Sequence, residues 1–593
     1  MIETFKPSSL TIKELFGDVK ALYKIPTYQR PYKWEDEQVD KLWQDMWEAY
    51  ENEDKNYFLG SIITALPREK SSYHDVVDGQ QRLTTLMILF CAFRNIHPDI
   101  NSNGSDEDLD NVDITVLENS IFYNNKSERL KLFTHEQHRS DFESLIIHNK
   151  SGISLNKPYK KDIKNDEEPK YKFINTYLIF QEKIQKFSKE QAGDFLNFIF
   201  NQVILIRIDC STREFAIKLF QVLNDRGMDL TSADLIKSYL LEKILKKYSG
   251  EEDVEMRDEK EKQFMADWRY CEQTIKDIEG TTLNDMFIIY EYMLLASNPK
   301  FSLVDELQTK FKESDANEII ADFKKLVDKY KNEIYFQENK LLYSFRYIRW
   351  NMYWRSILLT ALMYEYSDFE KLCKALRRFY YLYWIAGKTL TQIKQTSFNI
   401  IKWVKENRTI EDIEIDLNKK LEEDKVISQA LNALKEDIYQ EPWCKPLLIL
   451  IEYNNSDHSN PSFIELNQYL HAEHILPKEY AKFEEWKHIT PVLSKQWLNS
   501  GGNLTLLSGA KNIEASNNPF ETKISVYIGR GKYDDRDSKI TAFKITQDIV
   551  KEYDKNTYQK QWNEKSIIDR YNWFCDEVGE ILDFDTSSIK HIS

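Results

Sequence analysis

Residues 74–96 read HDVVDGQQRLTTLMILFCAFRNI, and the first part of the chain takes its fold from the point where this stretch changes period. His74 to Gly79 is short, apolar at its centre and closed by glycine, as in a buried strand, whereas Gln80 to Ile96 carries apolar residues at helical spacing. Gly79 lets the backbone turn tightly between the two. The first amides of the helix then point outward unpaired, a ready anion site, and Arg82 adds a cation whose fork suits phosphate. Asp78 and Gln81 also have the D-x-x-Q spacing of a capping box, so on these residues alone a helix cap is the plainer reading.

Working outward, YFLGSIITAL (57–66) and NQVILIRIDC (201–210) read as further buried strands, and helices follow at about Thr212–Leu223 and Ser232–Lys247. NDRGMDLT interrupts those two helices. One reading is a helix-to-helix turn, with Gly227 in a left-handed cap and Thr231 and Asp234 capping the next helix. In the other, Asn224, Asp225 and Arg226 are too polar for a mere turn, and Asp225 could hold a metal or polarise water. From about Glu251 to Ser462 the pattern is almost wholly helical, with aromatic stripes such as YSFRYIRWNMYW and RRFYYLYW that read as the core of a bundle and not as a grip on bases.

The 593 residues are 42% apolar and 13% aromatic, so a sizeable folded core is expected. With only 16 Gly and 14 Pro, long helices meet few breakers, and the expected class is mostly α with α+β parts. Six cysteines lie far apart without a CxxC pair, which argues against a disulfide framework or a cysteine zinc site and points to a reducing, cytoplasmic setting. Apolar runs such as Leu83–Phe93 are too short to span a bilayer, and no membrane partner is expected. A net charge of −16 speaks against non-specific coating of nucleic acid. Between His471 and Arg530, however, seven Lys/Arg face six Asp/Glu, a balance of +1.

That near-neutral region carries Glu473-His474-Ile475-Leu476-Pro477, then Gly502-Asn503-Leu504-Thr505-Leu506-Leu507, then Lys511-Asn512. A one-metal phosphodiesterase needs a general base, oxygen ligands for a hard cation and something to orient the base. His474 suits the base, since imidazole titrates near neutral pH. Glu473 and the side-chain oxygen of Asn512 suit Mg²⁺ or another divalent ion, and Asn503 could pin the loop that carries His474.

This order looks like the HNH, or ββα-metal, nuclease motif, with Asn512 standing where the final His of the name would be, Glu473 where many relatives have Asp, and His471 as an additional candidate ligand. Upstream, Tyr28-Gln29-Arg30-Pro31-Tyr32-Lys33-Trp34, Phe58-Leu59-Gly60-Ser61, Asp78-Gly79-Gln80-Gln81-Arg82 and Asn224-Asp225-Arg226-Gly227 together resemble the N-terminal domain of GmrSD-type modification-dependent restriction enzymes. The C-terminal set, with Asn518-Pro519-Phe520, Lys523, Trp562, Ile567 and Arg570, resembles the nuclease domain fused to it in that family.

The resemblance implies a ParB-like α/β nucleotide-binding and DNA-sensing domain over residues 1–248, a helical middle region over 249–462, and an HNH nuclease embedded in helices over 463–593. It implies hydrolysis of a nucleoside triphosphate (GTP, UTP, CTP or ATP) at Asp78, Gly79, Gln80, Gln81 and Arg82, with Asn224, Asp225 and Arg226 nearby. Gln29 and Arg30 would line the same cleft or the DNA-sensing face. The implied substrate is modified, double-stranded foreign DNA, cut in bacterial defence. A homodimer would supply the two events that cutting both strands requires. Two other classes stay open at this stage: an NTP-driven DNA-binding switch without cleavage, and an RNA-directed nuclease toxin.

Overall fold

The computed structural model of the protein describes residues 5–17, 22–26, 29, 31–65, 73–101, 111–122, 132–134, 138–149, 169–224, 231–248, 253–458, 460–530, 540–557 and 560–591. The chain divides into two compact units, residues 1–265 and 266–593. It is mostly α with α+β parts, as the composition leads one to expect.

Unit 1 is built on a six-stranded mixed sheet: β1 (Phe5–Thr11), β2 (Leu22–Lys24), β3 (Tyr57–Ala65), β4 (Tyr73–Asp78), β5 (Leu132–Phe133) and β6 (Val203–Cys210), in the order β1-β6-β3-β4-β2-β5. The three strands legible in the sequence, β6, β3 and β4, are neighbours at its centre. β3 runs parallel to β6, from Tyr57 opposite Val203 to Ala65 opposite Cys210, and antiparallel to β4. β1, β2 and β5 carry too little apolar pattern to announce themselves; β1 is largely exposed and the other two are three and two residues long.

The helix Gln80–Ile96 is buried along every residue from Leu83 to Arg94. A helix apolar all round must be covered on all sides, and Pro169–Ile184 is among the helices that pack on it. Around it a single cluster of buried side chains runs from Ile12 to Leu205.

Unit 2 is a helical assembly whose helices are begun by their own sequences. Thr282 with Asp285, Thr389 with Gln392, and Asn563 with Ser566 close reciprocal capping boxes. In unit 1 Thr231 and Asp234 do the same, as their spacing predicts. The aromatic stripes are core: Tyr380, Tyr381 and Tyr383 on the helix Phe369–Ile385 are fully buried, and Tyr347, Trp350, Tyr353 and Trp354 nearly so, which removes them from any contact with bases.

Two antiparallel strands lie within unit 2: β7 (Leu470–His474) and β8 (Leu504–Ser508), with His474 opposite Leu504 and Leu470 opposite Ser508. The helix Gly509–Ala515 follows at once and packs on both, giving a ββα arrangement.

The turn at Gly79 sets the geometry of unit 1's candidate site. Gly79 has φ of +86°, and a Cβ there would lie 2.4 Å from Cγ2 of Ile62. Gly79→Ala should therefore destabilise unit 1 by about 2–4 kcal/mol, from left-handed strain plus overpacking, read as a lowered midpoint in urea denaturation.

Candidate functional site

At the β4-to-helix turn of unit 1, Gly79 is the N-cap and no side chain caps the helix. The capping-box reading of Asp78 and Gln81 is thereby corrected. Gln81 faces away from the helix start: its Oε1 accepts from the Lys33 amide at 2.8 Å, and its Nε2 donates to the Pro31 carbonyl at 3.1 Å. Gln29 makes the matching contact, donating to the Val77 carbonyl at 2.7 Å. Two carboxamides thus fasten Gln29 and the Pro31–Lys33 backbone to the turn. Tyr32 anchors it below, with its hydroxyl 2.8 Å from Thr85 and 3.1 Å from Thr176, and burial pushes that phenol up to about 12.

Arg82 folds back over β3 and donates to the Ser61 carbonyl at 3.0 Å. Burial lowers its guanidinium from the ordinary value, against the attraction of Asp78. Burial also raises the Asp78 carboxyl, opposed by the Gly79 amide and by Arg82. Gln80 and Gln81 line a cleft with Ile25, Tyr32, Thr84, Thr134, His138 and Phe173. Arg30, Asp225 and Arg226 lie outside the described residues. Of Asn224 only the backbone, at the end of the helix Arg213–Asn224, belongs to them.

The ββα region of unit 2 is tied together by Asn503. Fully buried, it accepts at Oδ1 from the Leu476 amide (2.7 Å) and the Trp562 indole (3.0 Å), and it donates from Nδ2 to the carbonyls of Leu476 (3.0 Å) and Leu498 (2.7 Å). A carboxamide offers two acceptor positions and two hydrogens, and all four are taken. Asn503 therefore has nothing left for a substrate; it fixes the loop after His474, the role its place in the sequence suggests. The turn that carries it is pressed against the helix Glu564–Leu582 so closely that a Cβ on Gly502 would lie 2.4 Å from the Ile567 carbonyl oxygen.

Glu473 and His474 are successive strand residues and diverge. The Glu473 carboxylate meets Lys523 at 2.5 Å, and the same ammonium donates to the His474 carbonyl at 2.6 Å. Lys523 is fully buried. Burial raises the Glu473 carboxyl and lowers the Lys523 ammonium from their ordinary values, and their mutual contact opposes both shifts. Lys511 is likewise buried, donating to the Val526 carbonyl at 2.9 Å. Neither lysine lies at the surface.

His474 points instead to Asn499, with Nε2 and Oδ1 2.8 Å apart, and the Tyr439 ring lies 4.2 Å from the imidazole. Lys478 sits 4.0 Å over the other part of this wall, the Tyr439 ring. Burial lowers the imidazole to about 4, only partly offset by Asn499.

Asn512 lies on the helix Gly509–Ala515 with a buried side-chain oxygen that has no hydrogen-bond partner among the described residues. That orphaned oxygen would suit a cation; the carboxylate of Glu473, the other ligand read from the sequence, is paired with Lys523. Among the described residues, no group of three or more His, Cys, Asp or Glu is placed to hold a metal.

Sequence reasoning missed Asn499, Tyr439 and the pairing role of Lys523. Asn499, four residues before Asn503 at the edge of the glycine turn, was within reach as a polar residue in a motif loop. Tyr439 precedes the expected start of the nuclease region by more than twenty residues, and no spacing links it to His474.

Residues 12–241 match the family model described as the GmrSD restriction endonuclease N-terminal domain, and residues 422–577 match that of the GmrSD restriction endonuclease C-terminal domain. The two matches together span well over half of the chain, which belongs to the GmrSD restriction endonuclease family. It is a restriction nuclease with DNA as its substrate. No curated protein matches the chain. Among the described residues, no helix is long and apolar enough to cross a membrane.

Removing one partner of a buried ion pair leaves the other charge uncompensated, at a cost of about 3–5 kcal/mol, whereas replacing both is often nearly neutral. Lys523→Met and Glu473→Gln should each lower the unfolding midpoint of unit 2 strongly. The double variant should recover most of the loss in the same denaturation experiment.

Proposed function

We propose that this protein is an NTP-responsive endonuclease of HNH type that cuts modified foreign DNA, with His474 as general base. The observation that carries the reading is a nearly buried imidazole, neutral at physiological pH, held at one ring nitrogen and uncommitted at the other, on the last residue of β7. A base kept neutral and oriented is what hydrolysis of a phosphodiester needs. As the oxygen of a water attacks phosphorus, His474 takes its proton; the bond from phosphorus to the departing sugar oxygen breaks, and that oxygen gains a proton from solvent. Lys478, beside Tyr439, brings positive charge to the same wall. Mg²⁺ dependence is part of the proposal as a quantity to measure, and no step is assigned to the ion.

For the nucleotide, the helix N-terminus after Gly79 and the Arg82 guanidinium, which lies against Ser61 of β3, supply a partial and a full positive charge at the strand-to-helix turn. GTP, UTP, CTP and ATP are the candidates. In a cytoplasm that also holds host DNA, nucleotide binding would gate the nuclease, and a homodimer would let two sites act on two strands.

His474→Ala should abolish cleavage of modified DNA while thermal unfolding and NTP hydrolysis persist; cleavage at the wild-type rate would end the assignment. Because a base works unprotonated and this imidazole takes up its proton only near pH 4, kcat/KM should hold as pH falls through 6.5 and drop as it approaches about 4. Arg82→Ala removes charge-assisted hydrogen bonds of about 1.5–3 kcal/mol. Its NTP affinity by calorimetry should fall roughly tenfold to more than a hundredfold.

A further inference from the structure

An imidazole has two nitrogens, and the one bearing the hydrogen cannot also be the one that takes a proton from water. At His474 the choice is made by groups outside the ring. Nε2 faces Oδ1 of Asn499 at 2.8 Å. A carboxamide could be turned either way, presenting oxygen or nitrogen to the ring, and only its other contacts decide.

Those contacts are unambiguous. The amide nitrogen of Asn499 donates to Oδ2 of Asp437 at 2.7 Å. A carboxylate only accepts, so the nitrogen must face Asp437 and the oxygen must face His474. A carboxamide oxygen also only accepts, so the hydrogen between Asn499 and His474 belongs to Nε2. The neutral ring has one hydrogen, and Nδ1 is left bare. The ring's hydrogen bond is at Nε2, and Nδ1 has no hydrogen-bond partner among the described residues.

The chain holds this relay in place at both ends. The Ile438 amide donates to the Asn499 backbone carbonyl at 3.1 Å, and the Tyr439 amide donates to Oδ1 of Asp437 at 3.1 Å, which leaves Oδ2 for Asn499. Tyr439 then turns its ring onto the imidazole at 4.2 Å. Three successive residues, Asp437, Ile438 and Tyr439, thus address one histidine from a stretch that precedes the expected nuclease region.

We infer that Asp437 and Asn499 are positioning residues that lock His474 in the tautomer protonated at Nε2 and make Nδ1 the atom that accepts the proton. The functional meaning rests on the endonuclease reading above; the tautomer itself does not.

The test uses the full chain labelled with ¹⁵N-histidine. Long-range ¹H–¹⁵N correlation distinguishes the two neutral tautomers, and the His474 signals are those missing from a His474→Gln sample. The wild type should show Nε2 protonated and Nδ1 bare; the opposite pattern would overturn the inference outright, with His474→Gln serving only to assign the signals.

Asp437→Asn removes the acceptor-only constraint, so that Asn499 can be satisfied in either orientation. The second tautomer should then appear, and kcat should fall about tenfold or more with KM little changed, the pattern expected when only the transition state has lost support. The exchange variant Asp437→Asn/Asn499→Asp restores an acceptor facing Nε2 and a donor behind it, and should bring back the single tautomer and most of kcat. A single Nε2-protonated tautomer with wild-type kcat in Asp437→Asn would show that Asp437 does not set it. A wild-type enzyme that cuts no DNA under any condition would remove the endonuclease reading while the spectrum still decided the tautomer.

Discussion

Four hydrogen bonds from one carboxamide hold the ββα region of unit 2 together. Asn503 joins the loop after β7, the turn before β8, the end of the helix Pro491–Trp497 and the indole of Trp562. The Leu476 amide and carbonyl and the Trp562 indole that it meets are buried dipoles, and an unpaired buried dipole costs about 1–3 kcal/mol. No other uncharged side chain of similar volume offers two donors and two acceptors in one plane, so the position tolerates little change. Rigidity at Asn503 is what allows His474, two residues before Leu476, to be aimed at all.

Around that fixed point, charge is balanced in private pairs. Glu473 and Lys523 answer one another inside the fold, and Lys523 also braces the carbonyl of His474. The arrangement gains little in net stability, since desolvation of both ions offsets their attraction. What it secures is direction: with Glu473 drawn to one side of β7, the histidine next to it has the other side to itself, facing Asn499 and Tyr439. In unit 1 the same economy appears in uncharged form, where Gln29 and Gln81 use backbone groups to fasten an extended segment against a strand-to-helix turn.

Much of the frame was readable before any coordinates. The change from strand to helix at Gly79 and the buried helix after it follow from periodicity, and the central strands β3, β4 and β6 announce themselves by apolar runs. The capping of Ser232–Lys247 by Thr231 follows from spacing. The ordered motifs from Tyr28 to Arg226 and from Glu473 to Asn512 placed the chain in its family. What escaped is of another kind. β2 and β5 exist only because neighbours pair with them, and Gln81 looks like a capping residue until the Pro31–Lys33 backbone is brought to it. Lys523 reads as surface because a lysine usually is, and its burial depends on a glutamate fifty residues away. Asp437 is an ordinary exposed acid in sequence; only the fold sets it behind Asn499.

The indole of Trp562 and the helix Glu564–Leu582 carry a consequence for the way the protein is made. Both follow the strands and loop of the ββα region in the chain, yet Asn503 reaches its full set of partners only with the indole present, and the Gly501–Asn503 turn is covered only when that helix lies on it. A polypeptide emerging from the ribosome therefore presents His474 long before the loop beside it is fixed. Until translation has passed this helix, the growing chain carries His474 without the full set of contacts that fixes the loop beside it.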